Sequence, residues 1–253
     1  MYISPETLVP CLSVSTRLET LEIGFEFPQS YPDQRSRPPL PPTRTLLPAL
    51  TSLCFDGVAD YLEDLVARID APLLKNLLIV LFHQIVFDTP QLTQFISRAP
   101  TFKIQDQARM VFSSDVSVTL PQTFDISALK LIVSRTGRKS DQQLSSLAQI
   151  CSSSFPQTFI SLVEHLYILE DIYQGLQWQD DIKSSQWLEL LHPCTSVKNL
   201  YISKELVLRI APALQDLVGE RVTEVLPVLR ALFLESLPPG PAEEPFRQFI
   251  AAR

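Results

Sequence analysis

Apolar residues recur along this chain in a six-residue pattern, Φ-x-x-Φ-x-Φ, with Φ an aliphatic residue. The clearest copy is Val197-Lys198-Asn199-Leu200-Tyr201-Ile202, and close copies begin at Leu18, Leu50, Leu74, Ala128, Val163 and Leu229. The step from 74 to 128 is too long for one unit, and Ala108 to Phe112 lies where a degenerate copy belongs. Between the copies the period changes from two to that of a helix. Asp60-x-x-Glu63 has the form of a capping box ahead of the stripe Leu62, Leu65, Val66 and Ile69. Thr89-Pro90 opens a second helix carrying Leu92, Phe95 and Ile96, and Ser140-x-x-Gln143 opens a third carrying Leu144, Leu147 and Ile150. Lys204 to Val225 is the longest helical pattern, with Pro212 expected to split or kink it. Pro48, Pro72 and Pro227 each stand two residues before a strand, so the order is helix, proline, strand.

Three stretches depart from this order. Residues 28–48 hold seven prolines among polar residues and read as an exposed inserted loop. The loop carries two overlapping matches to ligands of SH3 domains, Arg35-x-x-Pro38-x-x-Pro41 and Pro39-x-x-Pro42-x-Arg44. Residues 101–134 are strand-rich and irregular, with Val116 to Leu120 alternating as a half-exposed strand. Residues 238–253 form a tail in which a short helix is expected around Phe246, Phe249 and Ile250.

A fixed-period Leu-x-x-Leu-x-Leu is the signature of a repeat array, and residues 18–237 resemble the leucine-rich-repeat family. The expected fold is therefore α/β. It is a single irregular leucine-rich-repeat solenoid over residues 1–253, with a curved parallel sheet on its concave side and helices on its convex side. The usual asparagine of the repeat is absent, its place taken by Glu26, Val58, Phe82, Asp171, Glu205 and Leu237. Leu206 to Leu237, Tyr61-Leu62-Glu63-Asp64-Leu65 and Trp187-Leu188-Glu189-Leu190-Leu191 look more narrowly like fungal F-box/leucine-rich-repeat proteins. That resemblance implies repeats that hold the substrate of a ubiquitin ligase. Residues 1–17 are too short for the F-box that docks such a protein on the ligase. A substrate-recognition module and a free-standing repeat scaffold both stay open.

Composition narrows the function further. The net charge is −7, and phosphate backbones need clustered Lys and Arg, so nucleic acid is not an expected partner. Only Arg135 to Lys139 is locally basic. No apolar run is long enough to cross a membrane, and no secretory signal is visible. The four scattered cysteines then read as buried thiols in the cytosol or nucleus.

No enzyme is read here. His83, His165 and His192 lack metal-like spacing, Asp180-Asp181 reads as a solvated acidic turn, and with six glycines no phosphate loop is present. No cofactor or metal is expected. In the repeat unit the first, fourth and sixth positions point inward, and the fifth can face the concave surface. Those fifth positions are Glu22, Cys54, Leu78, Ile132, Tyr167, Tyr201 and Phe233. Adjacent exposed aromatics anchor protein partners. His165, Tyr167, Tyr201 and Phe233 are accordingly the expected protein-binding residues, with inserted loops covering them as the alternative.

Overall fold

The inward positions of the six-residue pattern become one face of a sheet. In the computed structural model the described residues are 3–25, 43–82, 88–102, 106–113, 115–121, 128–134, 140–155, 157–171, 183–218, 223–235 and 243–252. Most of the Pro-rich segment, the basic turn at 135–139, His83 and Asp180-Asp181 lie outside them.

The chain opens with helix α1 (Pro5–Ser13) and strand β1 (Thr20–Gly24). A short strand β2 (Thr45–Leu46) precedes β3 (Ser52–Gly57), α2 (Ala59–Arg68), β4 (Ile69–Asp70) and β5 (Asn76–Phe82). Helix α3 (Pro90–Arg98) leads to three successive strands, with no helix between them among the described residues: β6 (Gln107–Phe112), β7 (Val116–Pro121) and β8 (Ala128–Ser134). The remaining elements are α4 (Ser140–Gln149), α5 (Gln157–Ile160), β9 (His165–Glu170), α6 (Ser184–Leu191) and β10 (Asn199–Ile202). Helix α7 (Lys204–Gln215), β11 (Ala231–Leu234) and α8 (Glu243–Ala251) end the chain.

Nine strands form one sheet in the order β1-β3-β5-β8-β7-β6-β9-β10-β11, while β2 and β4 pair separately. All neighbours are parallel except the two pairs that involve β7. The fold is thus mixed α/β with a large, mostly parallel sheet. The expected wholly parallel sheet therefore fails in the middle, within the stretch 101–134 that reads as irregular. The physical reason lies in link lengths. Only residues 113–115 separate β6 from β7, and 122–127 separate β7 from β8. A parallel crossover needs a dozen residues or more, so both links can make only antiparallel pairs. At the first, the Ser113 hydroxyl donates to the Asp115 carbonyl at 2.7 Å and accepts from the Asp115 N–H at 3.2 Å.

Strands β3 and β5 alternate half-exposed and buried residues along their whole length. Leu53, Phe55, Leu77, Ile79, Leu129, Leu131, Leu166, Ile168, Leu200 and Ile202 are buried on one face, with the first positions Leu50, Leu74, Val163 and Val197 beneath the strand entries. A sequence of adjoining helices covers that face: α1 against α2, α2 against α3, α4 against α6, α6 against α7 and α7 against α8. Trp187 of α6 is fully buried, its ring 5.7 Å from Phe112 of β6.

Three local readings change in the folded chain. The N-cap of α2 is Val58 rather than Asp60, and the Glu63 carboxylate serves the next helix. It accepts the backbone N–H groups of Gln91 at 2.9 Å and Leu92 at 2.7 Å, capping α3 from outside. Burial pushes the Glu63 carboxyl up, against the two hydrogen bonds that favour its ionised form. Helix α7 runs through Pro212, which sits in its last turn, and stops at Gln215. In the tail the expected helix is α8, which buries Phe246 and Phe249 and leaves Ile250 exposed.

Candidate functional site

Strand positions that do not enter the core stand on the opposite, open face. Neighbouring strands lie about 4.8 Å apart, so equivalent positions form straight rows. One row runs Glu22, Cys54, Leu78, Lys130, Thr119, Arg109, Tyr167, Tyr201, Phe233. It contains every expected fifth-position residue but one. Lys130, not Ile132, pairs with Leu78, and Ile132 lies one row on, beside Val80. A strand repeats its facing every two residues, so this two-residue slip left Ile132 on the correct face in the wrong row.

Over β9, β10 and β11 the row is a stack of three rings. Tyr167 and Tyr201 have centroids 4.3 Å apart and planes within 9°, and Tyr201 and Phe233 are 4.4 Å apart and within 6°. That interval is close to the strand spacing, so parallel register alone brings the rings face to face. The Arg109 guanidinium extends the stack, 5.4 Å from the Tyr167 centroid. Phe233 is 46% exposed, and the two tyrosines are half-buried. Burial pushes the Tyr167 phenol up, reinforced by the Tyr201 hydroxyl beside it, so Tyr167 keeps its proton at neutral pH.

His165 stands one row back, between Gln107 and Asn199. The Asn199 amide nitrogen lies 3.2 Å from His165 Nδ1. An amide nitrogen donates, so Nδ1 is the acceptor in this contact. The imidazole is 6.5 Å from the Tyr201 ring. The four residues expected from sequence therefore share one face. Beside them Lys198 pairs with Glu164 at 2.6 Å, and this hydrogen bond holds the Glu164 carboxyl low.

Three residues of the row, Arg109, Thr119 and Lys130, escaped the sequence reading. Arg109 lies in the degenerate copy, and Lys130 was hidden by the misplaced frame. The signal that locates Lys130 is Ile126-Ser127-Ala128-Leu129-Lys130-Leu131, a complete copy of the pattern starting two residues earlier. Neither Arg109 nor Lys130 forms an ion pair with a described carboxylate. With Thr119 between them they line a recess of about 450 Å³ on the open face of β6, β7 and β8, and Asp115 and Asp171 lie at its other end.

The opposite flank of the row is acidic and contains a thiol. Burial, then the charges of Glu22 and Asp56, push the Cys54 thiol up. The Asp56 carboxyl is also pushed up by burial, and its Oδ1 has no hydrogen-bond partner among the described residues. Cys151 and Cys194 are fully buried, the latter pushed up to about 12 by burial. These thiols are protonated at neutral pH and poor nucleophiles. Among the described residues no group of three His, Cys, Asp or Glu is placed to hold a metal ion, and no helix is long and apolar enough to cross a membrane. On the helix side, exposed His192 and Glu189 border a groove of about 810 Å³ between α4 and α6.

Compared with models of known protein families, with curated proteins and with solved structures, the chain matches none.

Proposed function

We propose that this chain is a protein-binding module built as an irregular leucine-rich-repeat solenoid. Its contact surface is the open face around Tyr167, Tyr201 and Phe233, with His165 at the margin. The observation that carries this reading is the aromatic stack, three rings aligned on the side of the sheet away from the described helices and most exposed at Phe233. Planar, rigid, amphipathic rings lose little conformational entropy on binding and dominate protein contacts.

The solenoid reading rests on a backbone pattern that recurs with the repeat. At the entry to β3, the N–H groups of Thr51 and Ser52 both donate to the Glu19 carbonyl. Those of Lys75 and Asn76 converge on Thr51, Glu164 and His165 on Asp106, Lys198 and Asn199 on Glu164, and Arg230 and Ala231 on Lys198. Each convergence joins the second position of one unit to the second and third of its neighbour in the sheet. Asp106 takes that place ahead of β6, which supports counting β6 as a unit and β7–β8 as an insertion.

The likeness to the substrate-holding repeats of F-box ubiquitin-ligase adaptors makes a ubiquitination substrate one partner class. A scaffold with no ubiquitin role uses the same face. Both require a peptide or protein surface to bind there. A displayed library of random dodecapeptides selected on the protein tests this. Selected peptides should lose at least tenfold in affinity on Tyr201→Ala/Phe233→Ala with the melting temperature little changed. Selection of no peptide, or undiminished binding to the double variant, overturns the reading.

A further inference from the structure

From the row geometry we infer that the open face takes an acidic peptide in an extended conformation, with acidic side chains at positions i and i+3 and an aromatic or proline side chain at i+6. This inference rests on the protein-binding reading above and names the chemistry of the partner.

The argument starts with the order of residues along the row: Lys130, Thr119, Arg109, Tyr167, Tyr201, Phe233. Lys130, Arg109 and Tyr201 therefore stand on every second strand, roughly 9.6 Å apart at about 4.8 Å per strand. A polyproline II chain advances about 9.3 Å per three-residue turn. A peptide laid across the strands in that conformation presents one side chain per turn to the sheet, in phase with these three residues. The first two meet cations and the third meets the centre of the aromatic stack.

Charge supports the same occupant. The chain as a whole carries a net charge of −7, yet this stretch of the open face offers two cations without a described ion-pair partner. The Arg109 guanidinium lies 5.4 Å from the Tyr167 ring centroid, and a guanidinium with five N–H donors can stack on a ring and still receive a carboxylate. Lys130 opens onto the same recess, with the Thr119 hydroxyl between the two. Phosphopeptide sites gather several arginines on one dianion. Here one arginine and one lysine two strands apart suit two separate carboxylates. Beyond Tyr201, Phe233 offers a further exposed ring for a residue that follows the anchor.

The experiment uses the full chain and the displayed dodecapeptides, followed by fluorescence anisotropy with the selected sequences as labelled synthetic peptides. The expected result is a shared pattern of two acidic residues three apart and an aromatic or proline three further on. Arg109→Ala and Lys130→Ala should each weaken binding at least fivefold without lowering the melting temperature. Inserting one residue between the two acidic positions should cost at least as much, and raising the salt concentration should weaken binding further. Peptides that need Tyr201 and Phe233 but neither cation overturn this inference while leaving the protein-binding reading intact. A preference of more than tenfold for phosphoserine over glutamate at i or i+3 also overturns it, in favour of a phosphopeptide. Selection of no peptide removes both readings together.

Discussion

The two flanks of the sheet are built alike and present different chemistry. In β1, β3 and β5 the inward residues Leu21, Leu53 and Leu77 are paired in register and buried, as are Leu166 and Leu200 in β9 and β10. The same paired N–H groups converge on one carbonyl at strand entries in both flanks. On the open face the first flank carries Glu22, Cys54 and Leu78, and the second carries Tyr167, Tyr201 and Phe233. Positions that face the helices are constrained by packing, whereas those one residue away are free of it. One backbone thus supports an acidic, thiol-bearing surface at one end and an aromatic stack at the other.

The largest expected effect tests the likeness. Leu53→Ala and Leu200→Ala each remove a fully buried side chain from the same row of the core. Each should destabilise by about 2–5 kcal/mol, read from denaturant midpoints. A marked inequality between them would break the equivalence of the flanks. Next comes Gly57→Ala in β3, where a Cβ would lie 2.8 Å from Phe25 Cδ2 and 2.9 Å from Phe55 Cζ. Overpacking of this kind should cost roughly 1–3 kcal/mol. Gly24→Ala, whose Cβ would meet only the Asp56 Cβ at 4.0 Å, should cost much less. Loss of the external helix cap in Glu63→Ala should remove roughly 1–2 kcal/mol from the first flank alone.

Smaller effects report on the open face. Tyr201→Ala should lower stability by only about 1 kcal/mol, because it removes ring stacking and leaves the core intact. A loss as large as that of Leu200→Ala would mean that the stack is structural. The smallest effect is kinetic. With a raised thiol pKa, Cys54 holds less thiolate at pH 8 than an ordinary cysteine, so its alkylation should lag behind that of exposed Cys11. Glu22→Gln should speed the reaction at Cys54 by lowering that pKa, and mass spectrometry at timed quenches would show it. Cys151 and Cys194 should react only on unfolding.

The candidate site was legible wherever a unit matched the pattern. His165, Tyr167, Tyr201 and Phe233 each follow from counting positions within a copy, because register preserves that count from strand to strand. Arg109 and Lys130 were lost where counting failed, in the degenerate copy and in the frame set two residues late. An earlier inward position was also available. Leu47, Ala71, Ile160, Cys194 and Leu226, each three residues before the first position, are all buried. At four of the five, Cys194 being the exception, the carbonyl accepts the N–H of the first position. Three of these five residues directly precede Pro48, Pro72 or Pro227, so a nine-residue pattern was present in the sequence.

Sequence by itself determined the inward positions of the regular units, most of the strands and helices that carry them, and where prolines separate them. These properties depend on periodicity and on each residue's own backbone, both local. The antiparallel sense of β7 was also implicit, because short links admit no other pairing. Only the tertiary structure decided that β8 lies beside β5 and β6 beside β9, placing two cations in line with three aromatic rings. It also decided that Glu63 caps α3 instead of its own helix. Pairing across the sheet and caps donated from another helix join residues far apart in the chain, and no local pattern specifies which distant partner each will meet.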